Sequence, residues 1–406
     1  MPSGRLLLFC IASASLVFAC EEITIEPAAD SGSDAQSIDS SVPPVLREQE
    51  VDQRFFEEQM QLGRIPGLAV AVVGPDGVLW SSTHGVKDVD TDEAIREDTL
   101  FGVASVSKLV VGLLLMQAVE AAQLHLEDDA EGYLTHPLIH PLHPNEAMSI
   151  RSLATHTSGL RDTLSLFLNG FTEGDPDEEL GVFTASYATE DGDLYAPENF
   201  SVEAPGTTYA YSNFGIALLG HALEGATAQD FRSLSTALLE SLSMDARFFL
   251  ADVDAAQLAV SYAATADSFA PILMEILYYP AGGLKGSLVD MARLLRLFMN
   301  DGELEGVRLL EPNSVARMEQ VANSELNTRR GLILNSTTIE GVLMHGHNGA
   351  GAGSSADVWY GPNFGIVVLA NSNAYVRSRF GDPTGTEAMR AIRSYVTRRG
   401  LELTGE

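Results

Sequence analysis

Cysteine is nearly missing from this chain: among 406 residues only Cys10 and Cys20 carry a thiol, and both lie in the first twenty. Everything after them is without a disulfide, a thiol nucleophile or a cysteine metal site, so the fold rests on its core alone. Basic residues are the second shortage. Lys and Arg number 24 against 56 Asp and Glu, a formal net charge of −32. Polyanions and anionic lipid surfaces are repelled by such a chain, which excludes a nucleic-acid partner. No G-x-S-x-G elbow occurs, which removes one familiar kind of serine nucleophile. No repeat of fixed period occurs either.

What is present is enough for a large core. Hydrophobic residues make up 45% and charged residues 20%, which suits one large or two intimately packed domains. At the start, Arg5 precedes the apolar run from Leu6 to Ala19. That run falls short of the ~20 residues of a membrane span but fits the core of a signal peptide. Leu16-Val17-Phe18-Ala19-Cys20 resembles a bacterial lipobox, with bulky Phe18 as its departure. The segment therefore predicts an exported, cell-envelope protein with lipid on Cys20, ordinary cleavage near Ala19 being the alternative. Any membrane contact would be through that anchor. Residues 20–45 are acidic, Ser- and Pro-rich and too poor in apolar residues to fold; as random coil they would span ~25–30 Å. The folded domain is expected over residues 46–400.

Within it, Leu46 to Leu62 reads as an amphipathic helix ended by Gly63, and Gly74-Pro75-Asp76-Gly77 as the turn of a hairpin between Leu68–Val73 and Val78–Trp80. From Phe101 to about Val119 apolar residues cover every side of a helical wheel, as in a helix buried all round. Helices are also expected at residues 150–155, 216–224, 231–242 and 288–299, and at the C-terminus with Met389, Ile392 and Val396 on one face and a cap at Arg398-Arg399-Gly400. Residues 342–344, 356–360 and 364–370 read as antiparallel strands. The acidic, Gly-rich stretch 164–204 reads as either a packed lid or an insertion. His136, His140 and His143 sit among prolines that forbid a common helical face, so neither a metal nor another cofactor is expected.

The buried helix carries polar chemistry at its start. Ser105 and Lys108 are three apart, so on a helix they share a face, with Ser105 near the positive end of the macrodipole. A hydroxyl there can lose its proton to an amine. Taken alone, Ser105 is an ordinary N-cap and Lys108 a first-turn residue reaching solvent. Farther on stand Tyr211-Ser212-Asn213 and His347-Asn348-Gly349. These three motifs follow the order and approximate spacing of the penicillin-recognising serine enzymes. From about Leu46 to its last helix the chain resembles the serine β-lactamase-like family, in its branch of class C β-lactamases, D-alanyl-D-alanine carboxypeptidases and esterases. Thr155-His156-Thr157-Ser158-Gly159-Leu160, Ala204-Pro205-Gly206 and Gly282-Gly283-Leu284 before Asp290-Met291-Ala292 add to the likeness.

The resemblance implies an α+β fold of the β-lactamase/transpeptidase type, an antiparallel sheet flanked by helices and packed on an all-helical lobe, with the site at their junction. It implies Ser105 as the acyl-accepting nucleophile and Lys108 with Tyr211 as the proton network that activates it. Asn213 would position the acyl side chain and Lys108. His347 and Gly349 would line the substrate site, and the N–H groups of Ser105 and Ala350 would form the oxyanion hole. Where β-lactamases of this branch usually carry Lys, this chain has His347, as many esterase-like members do, and it has Asn348 where Thr is commoner.

The expected function is that of an exported serine hydrolase acting on a small-molecule ester. A β-lactamase or D-Ala-D-Ala carboxypeptidase, with a β-lactam or peptide substrate, is the alternative. A non-catalytic peptidoglycan- or ligand-binding protein of the same fold is a third reading. Neutral His347 and the acids Glu173, Asp175, Asp177, Glu178 and Glu179 disfavour an anionic substrate, while Arg329 and Arg330 offer local positive charge that would offset them.

Overall fold

The computed structural model describes residues 44–265 and 267–406. The expected leader, Cys20 and nearly all of the acidic segment lie outside the described residues. Seven strands form one antiparallel sheet: β1 (Gly67–Val73), β2 (Val78–Asp88), β3 (Glu93–Ala94), β4 (Asn335–Ile339), β5 (Val342–Ala350), β6 (Ser355–Tyr360) and β7 (Gly365–Ala370). Their spatial order is β4-β5-β6-β7-β1-β2-β3. The first strand of the chain thus pairs with the last, Leu68 opposite Ala370. β1 is buried at every position, because Leu68, Val70 and Val72 face one core and Ala69, Ala71 and Val73 the other. A strand covered on both faces needs an unbroken apolar run, and that is what the sequence supplies.

Two helices, α1 (Pro44–Gly63) and α6 (Thr384–Thr404), cover one face of the sheet, with Phe56 and Met60 meeting Met389, Ile392 and Val396. Behind the other face lie α2 (Ser107–Glu120), α3 (Asn213–Thr227), α4 (Phe231–Ser241) and α5 (Leu288–Met299). Ser107–Met116 is buried without interruption, so α2 runs through the middle of the helical lobe. The expected architecture of sheet, flanking helices and helical lobe is what forms. Among the described residues no helix is long and apolar enough to cross a membrane.

Several local expectations change. Strands, a 3-10 turn and a helix replace the continuous helix from Phe101: Phe101–Gly102 pairs with Lys285–Gly286, Ala104–Val106 is the 3-10 turn, and α2 starts only at Ser107. The strand expected at 342–344 runs on through the glycines after Met344 to Ala350, and the reversal comes at Gly351, whose N–H bonds the Ser354 carbonyl. The last helix passes straight through Gly400 to Thr404, with Gly405 at φ 75° as its C-cap. Gly400 is interior for a packing reason: a Cβ there would lie 2.2 Å from the Phe364 ring.

Residues 164–204 are packed structure and not a loose insertion. They contain helices Leu164–Asn169 and Leu180–Ala188, and Leu166, Leu180, Phe183, Tyr187 and Phe200 enter the main core. The Tyr187 ring lies 4.2 Å from that of Phe214 on α3. Asp175 is likewise structural, its carboxylate accepting the Leu250 and Ala251 N–H groups at 2.5 and 2.8 Å. Each of the three clustered histidines has a local hydrogen bond: His136 Nε2 with Thr184 Oγ1, His143 Nε2 with the Val202 carbonyl, and His140 Nδ1 from the Leu142 N–H. Among the described residues no group of three or more His, Cys, Asp or Glu side chains could hold a metal ion.

Candidate active site

The turn that carries Ser105 is held from three sides. Ala104 has φ 47°, in the left-handed region, where a residue with a Cβ is strained by about 1–2 kcal/mol. Ser107 offsets that strain, donating from Oγ to the Ala104 carbonyl at 2.6 Å and accepting the Leu284 N–H at 3.0 Å. The Val103 N–H in turn bonds the Leu284 carbonyl at 3.0 Å. From the sheet, β5 comes so close that a Cβ on Gly349 would stand 2.2 Å from the Val103 carbonyl oxygen. Only glycine permits that approach, which brings Gly349 and Ala350 alongside the Ser105 turn.

Lys108 is fully buried on the first turn of α2. Its Nζ donates to Ser105 Oγ at 3.1 Å, Asn213 Oδ1 at 2.8 Å and the Ala281 carbonyl at 2.5 Å. Three acceptors match the three N–H bonds of an ammonium, which makes burial of the charge tolerable. The Tyr211 hydroxyl also reaches Ser105 Oγ, at 3.0 Å, with Lys108 Nζ 5.1 Å from the centre of its ring. Lys108 and Tyr211 therefore converge on the Ser105 oxygen, and Asn213 joins them through Lys108, although more than 100 residues separate the two pairs.

His347 is buried on β5. Its Nδ1 donates to the Asn348 carbonyl at 2.6 Å, which leaves Nε2 as the acceptor for Arg330 Nη1 at 3.4 Å. Burial, and then the positive charges of Arg330 and Lys108, hold its pKa well below the usual histidine range. The neutral ring expected at this position is the form these bonds require.

Three further residues shape the site. Arg330 is buried, donates from Nε to the Tyr209 hydroxyl at 3.1 Å and stands 5.2 Å from the Tyr211 ring centre. It is the cation the sequence offered; Arg329, its neighbour, is exposed. Tyr209 carried no signal of its own beyond lying two residues before Tyr211. Asp162, two residues after the Thr155–Leu160 motif, was not singled out at all. Its carboxylate accepts the N–H groups of Asn213 and Phe214 at 2.8 and 3.1 Å, Asn213 Nδ2 at 2.8 Å and Ser212 Oγ at 3.2 Å. Burial pushes its pKa up, while the Asn213 and Phe214 donors and the charge of Lys108 pull it down. All four bonds use the carboxylate as acceptor, at the N-terminus of α3, where negative charge is favoured. Asp162 thus fixes the amide of Asn213 so that its oxygen faces Lys108.

Residues 53–388 match the family model described as Beta-lactamase. The chain belongs to the Beta-lactamase family. It is 26% identical over 345 residues to Penicillin-binding protein 4 of Amycolatopsis lactamdurans, a match that covers 81% of this chain and 86% of that protein. Among solved structures it is similar to the D-alanine carboxypeptidase AmpC of Burkholderia cenocepacia, with a TM-score of 0.62 at 23% identity over 86% of this chain and 99% of the other. It is also similar to EstCE1, a hydrolase with promiscuous acyltransferase activity, with a TM-score of 0.64 at 20% identity over 84% and 100% of the two chains. The fold is that of the β-lactamase/transpeptidase-like proteins, and members of the family are serine hydrolases. Penicillin-binding proteins, carboxypeptidases and esterases therefore share this arrangement of sheet and lobe.

Proposed function

We propose that the protein is a serine hydrolase that forms an acyl-enzyme on Ser105. The observation that carries this reading is the pair of contacts on one oxygen, Lys108 Nζ at 3.1 Å and Tyr211 Oη at 3.0 Å. With the N–H bonds of Lys108 directed at acceptors, the amine is held as the charged form. The phenol oxygen of Tyr211 is then the group placed to take the Ser105 proton as Oγ attacks a carbonyl carbon. That proton passes on to the leaving oxygen or nitrogen when the substrate bond breaks, so Tyr211 is a neutral phenol between the two steps and, before the first and after the second, a phenolate stabilised by the positive charge of Lys108. The oxyanion would be bound by the N–H groups of Ser105 and Ala350, each such donor being worth ~2.7–4 kcal/mol of barrier. Asn213 holds Lys108 and faces the acyl group. A pure binding protein has no need of this proton network.

For the substrate, a neutral carboxylic ester is the first reading, since the third motif offers the uncharged ring of His347 in place of a lysine. Arg330 favours a second. It is a buried guanidinium that pairs with no carboxylate among the described residues, and a buried cation without a counter-charge is costly unless a ligand supplies one. A β-lactam or a D-Ala peptide would supply it. Turnover of p-nitrophenyl butyrate and nitrocefin, compared at neutral pH, separates the two. The ester is expected to give the higher kcat/KM. A preference for nitrocefin that falls about tenfold or more in Arg330→Gln, a loss of at least ~1.4 kcal/mol, would transfer the assignment to carboxylate-bearing substrates.

The leader and Cys20 support export and lipid anchoring in a bacterial envelope. Cys20→Ser is expected to move the protein from the membrane to the soluble fraction with unchanged specific activity. A variant that stays in the membrane fraction would place the anchor elsewhere.

A further inference from the structure

His156 has no assigned part in the chemistry, yet it makes three separate contacts with the segment that presents Tyr211. Its carbonyl accepts the Ala210 N–H at 2.9 Å, its Nδ1 accepts the Ser212 N–H at 3.2 Å, and its ring lies 4.4 Å from the Tyr211 ring at a tilt of 35°. The residues on both sides of Tyr211 are therefore tied to one side chain and its own peptide unit. Next to it, the Thr157 carbonyl accepts the Gly206 N–H at 2.7 Å, which fixes where the same segment begins.

His156 holds this position against two local preferences. Its φ is 58°, in the region that residues with a Cβ avoid, and its Nε2 is buried without a hydrogen-bond partner among the described residues. A ring present for packing alone would be better placed as phenylalanine, which strands no polar atom. The nitrogen that is used is the one that reaches the Ser212 N–H. Because Nδ1 accepts there, the ring proton sits on Nε2 and the ring is neutral; burial, then the charges of Arg330 and Lys108 and the nearby His347, favour that neutral form.

We propose that His156 is a positioning residue that holds the Tyr211 phenol against Ser105 Oγ. This rests on the reading that Tyr211 moves the Ser105 proton. A phenol freed to swing by even an ångström loses its alignment with Oγ, while the surfaces that bind substrate stay as they are. Rate falls and binding does not.

Two substitutions divide the contacts. His156→Phe keeps the ring face and deletes the Nδ1 acceptor; His156→Asn deletes the face and keeps a side-chain acceptor on a residue that tolerates positive φ. Each is expected to lower kcat for p-nitrophenyl butyrate by about 10–100-fold with KM within about threefold, and each should lose far less, within about threefold, when introduced into Tyr211→Phe. Thermal unfolding of the five variants beside the parent identifies any variant that does not fold, and the other substitution then carries the comparison. Equal losses in the two backgrounds would show a general structural role and overturn the proposal, as would an unchanged kcat. A Tyr211→Phe enzyme as active as the parent would instead overturn the role given to Tyr211, which is a separate result.

Discussion

Ser105→Ala is expected to abolish both turnover and covalent labelling. In the parent protein a fluorophosphonate should add one adduct to the intact mass, and in the variant none. Hydrolysis of p-nitrophenyl butyrate should fall by roughly 10⁴-fold or more, the scale on which a serine nucleophile contributes. The substitution removes one oxygen that Lys108 and Tyr211 both address. It leaves the buried bonds of Lys108 to Asn213 and Ala281 in place, so the fold should be unaffected. An adduct that persists in Ser105→Ala would place the nucleophile elsewhere and end the assignment.

Lys108→Ala and Tyr211→Phe should each lower kcat by about 10²–10⁴-fold, the range of general acid–base catalysis, with KM changing much less. In the proposed mechanism both act on a proton that is in flight only in the transition state. The double variant should lose little more than the worse single one, because either change breaks the same network; losses that multiply would show two independent roles. The two substitutions differ in their effect on stability. Tyr211→Phe removes one hydroxyl from a part-buried ring, whereas Lys108→Ala also leaves Asn213 Oδ1 and the Ala281 carbonyl without their donor, at about 1–3 kcal/mol for each group left unsatisfied. Denaturant unfolding of both variants separates that cost from the catalytic one.

The parts of the molecule that a local pattern determines were legible in the sequence. The helix expected at residues 288–299 forms over Leu288–Met299, because its apolar face repeats with helical period and Ser287 with Asp290 caps its start. The turn at Gly74–Gly77 forms between two strands as expected. The motif residues Ser105, Lys108, Tyr211 and Asn213 meet at one point. What stayed hidden depends on partners far away in the chain. Gly400 reads as a helix stop until Phe364 is seen lying on it. The glycines from Gly346 to Gly353 read as a loop, and β6 turns the first of them into strand by pairing with them. Asp162 and His156 act on residues 210–214, about fifty positions downstream, and no spacing rule joins them. Arg330 could be named as a nearby cation but not placed, since its position against Tyr209, Tyr211 and His347 is set by the packing of the sheet on the lobe.

The pairing of β1 with β7 has a consequence for how the molecule comes into being. Leu68 waits for Ala370, so a strand made early finds its neighbour only after roughly 300 further residues have been synthesised. Closing so long a loop costs entropy before it returns any contact, and non-local pairing of this kind is slow. Meanwhile an apolar strand destined to be buried on both faces remains uncovered and open to aggregation. β5, which brings His347 to the site, also belongs to the late part of the chain. A newly made polypeptide therefore holds Ser105 long before His347 and Ala350 can stand beside it, and the candidate site is complete only once the final strands have been added.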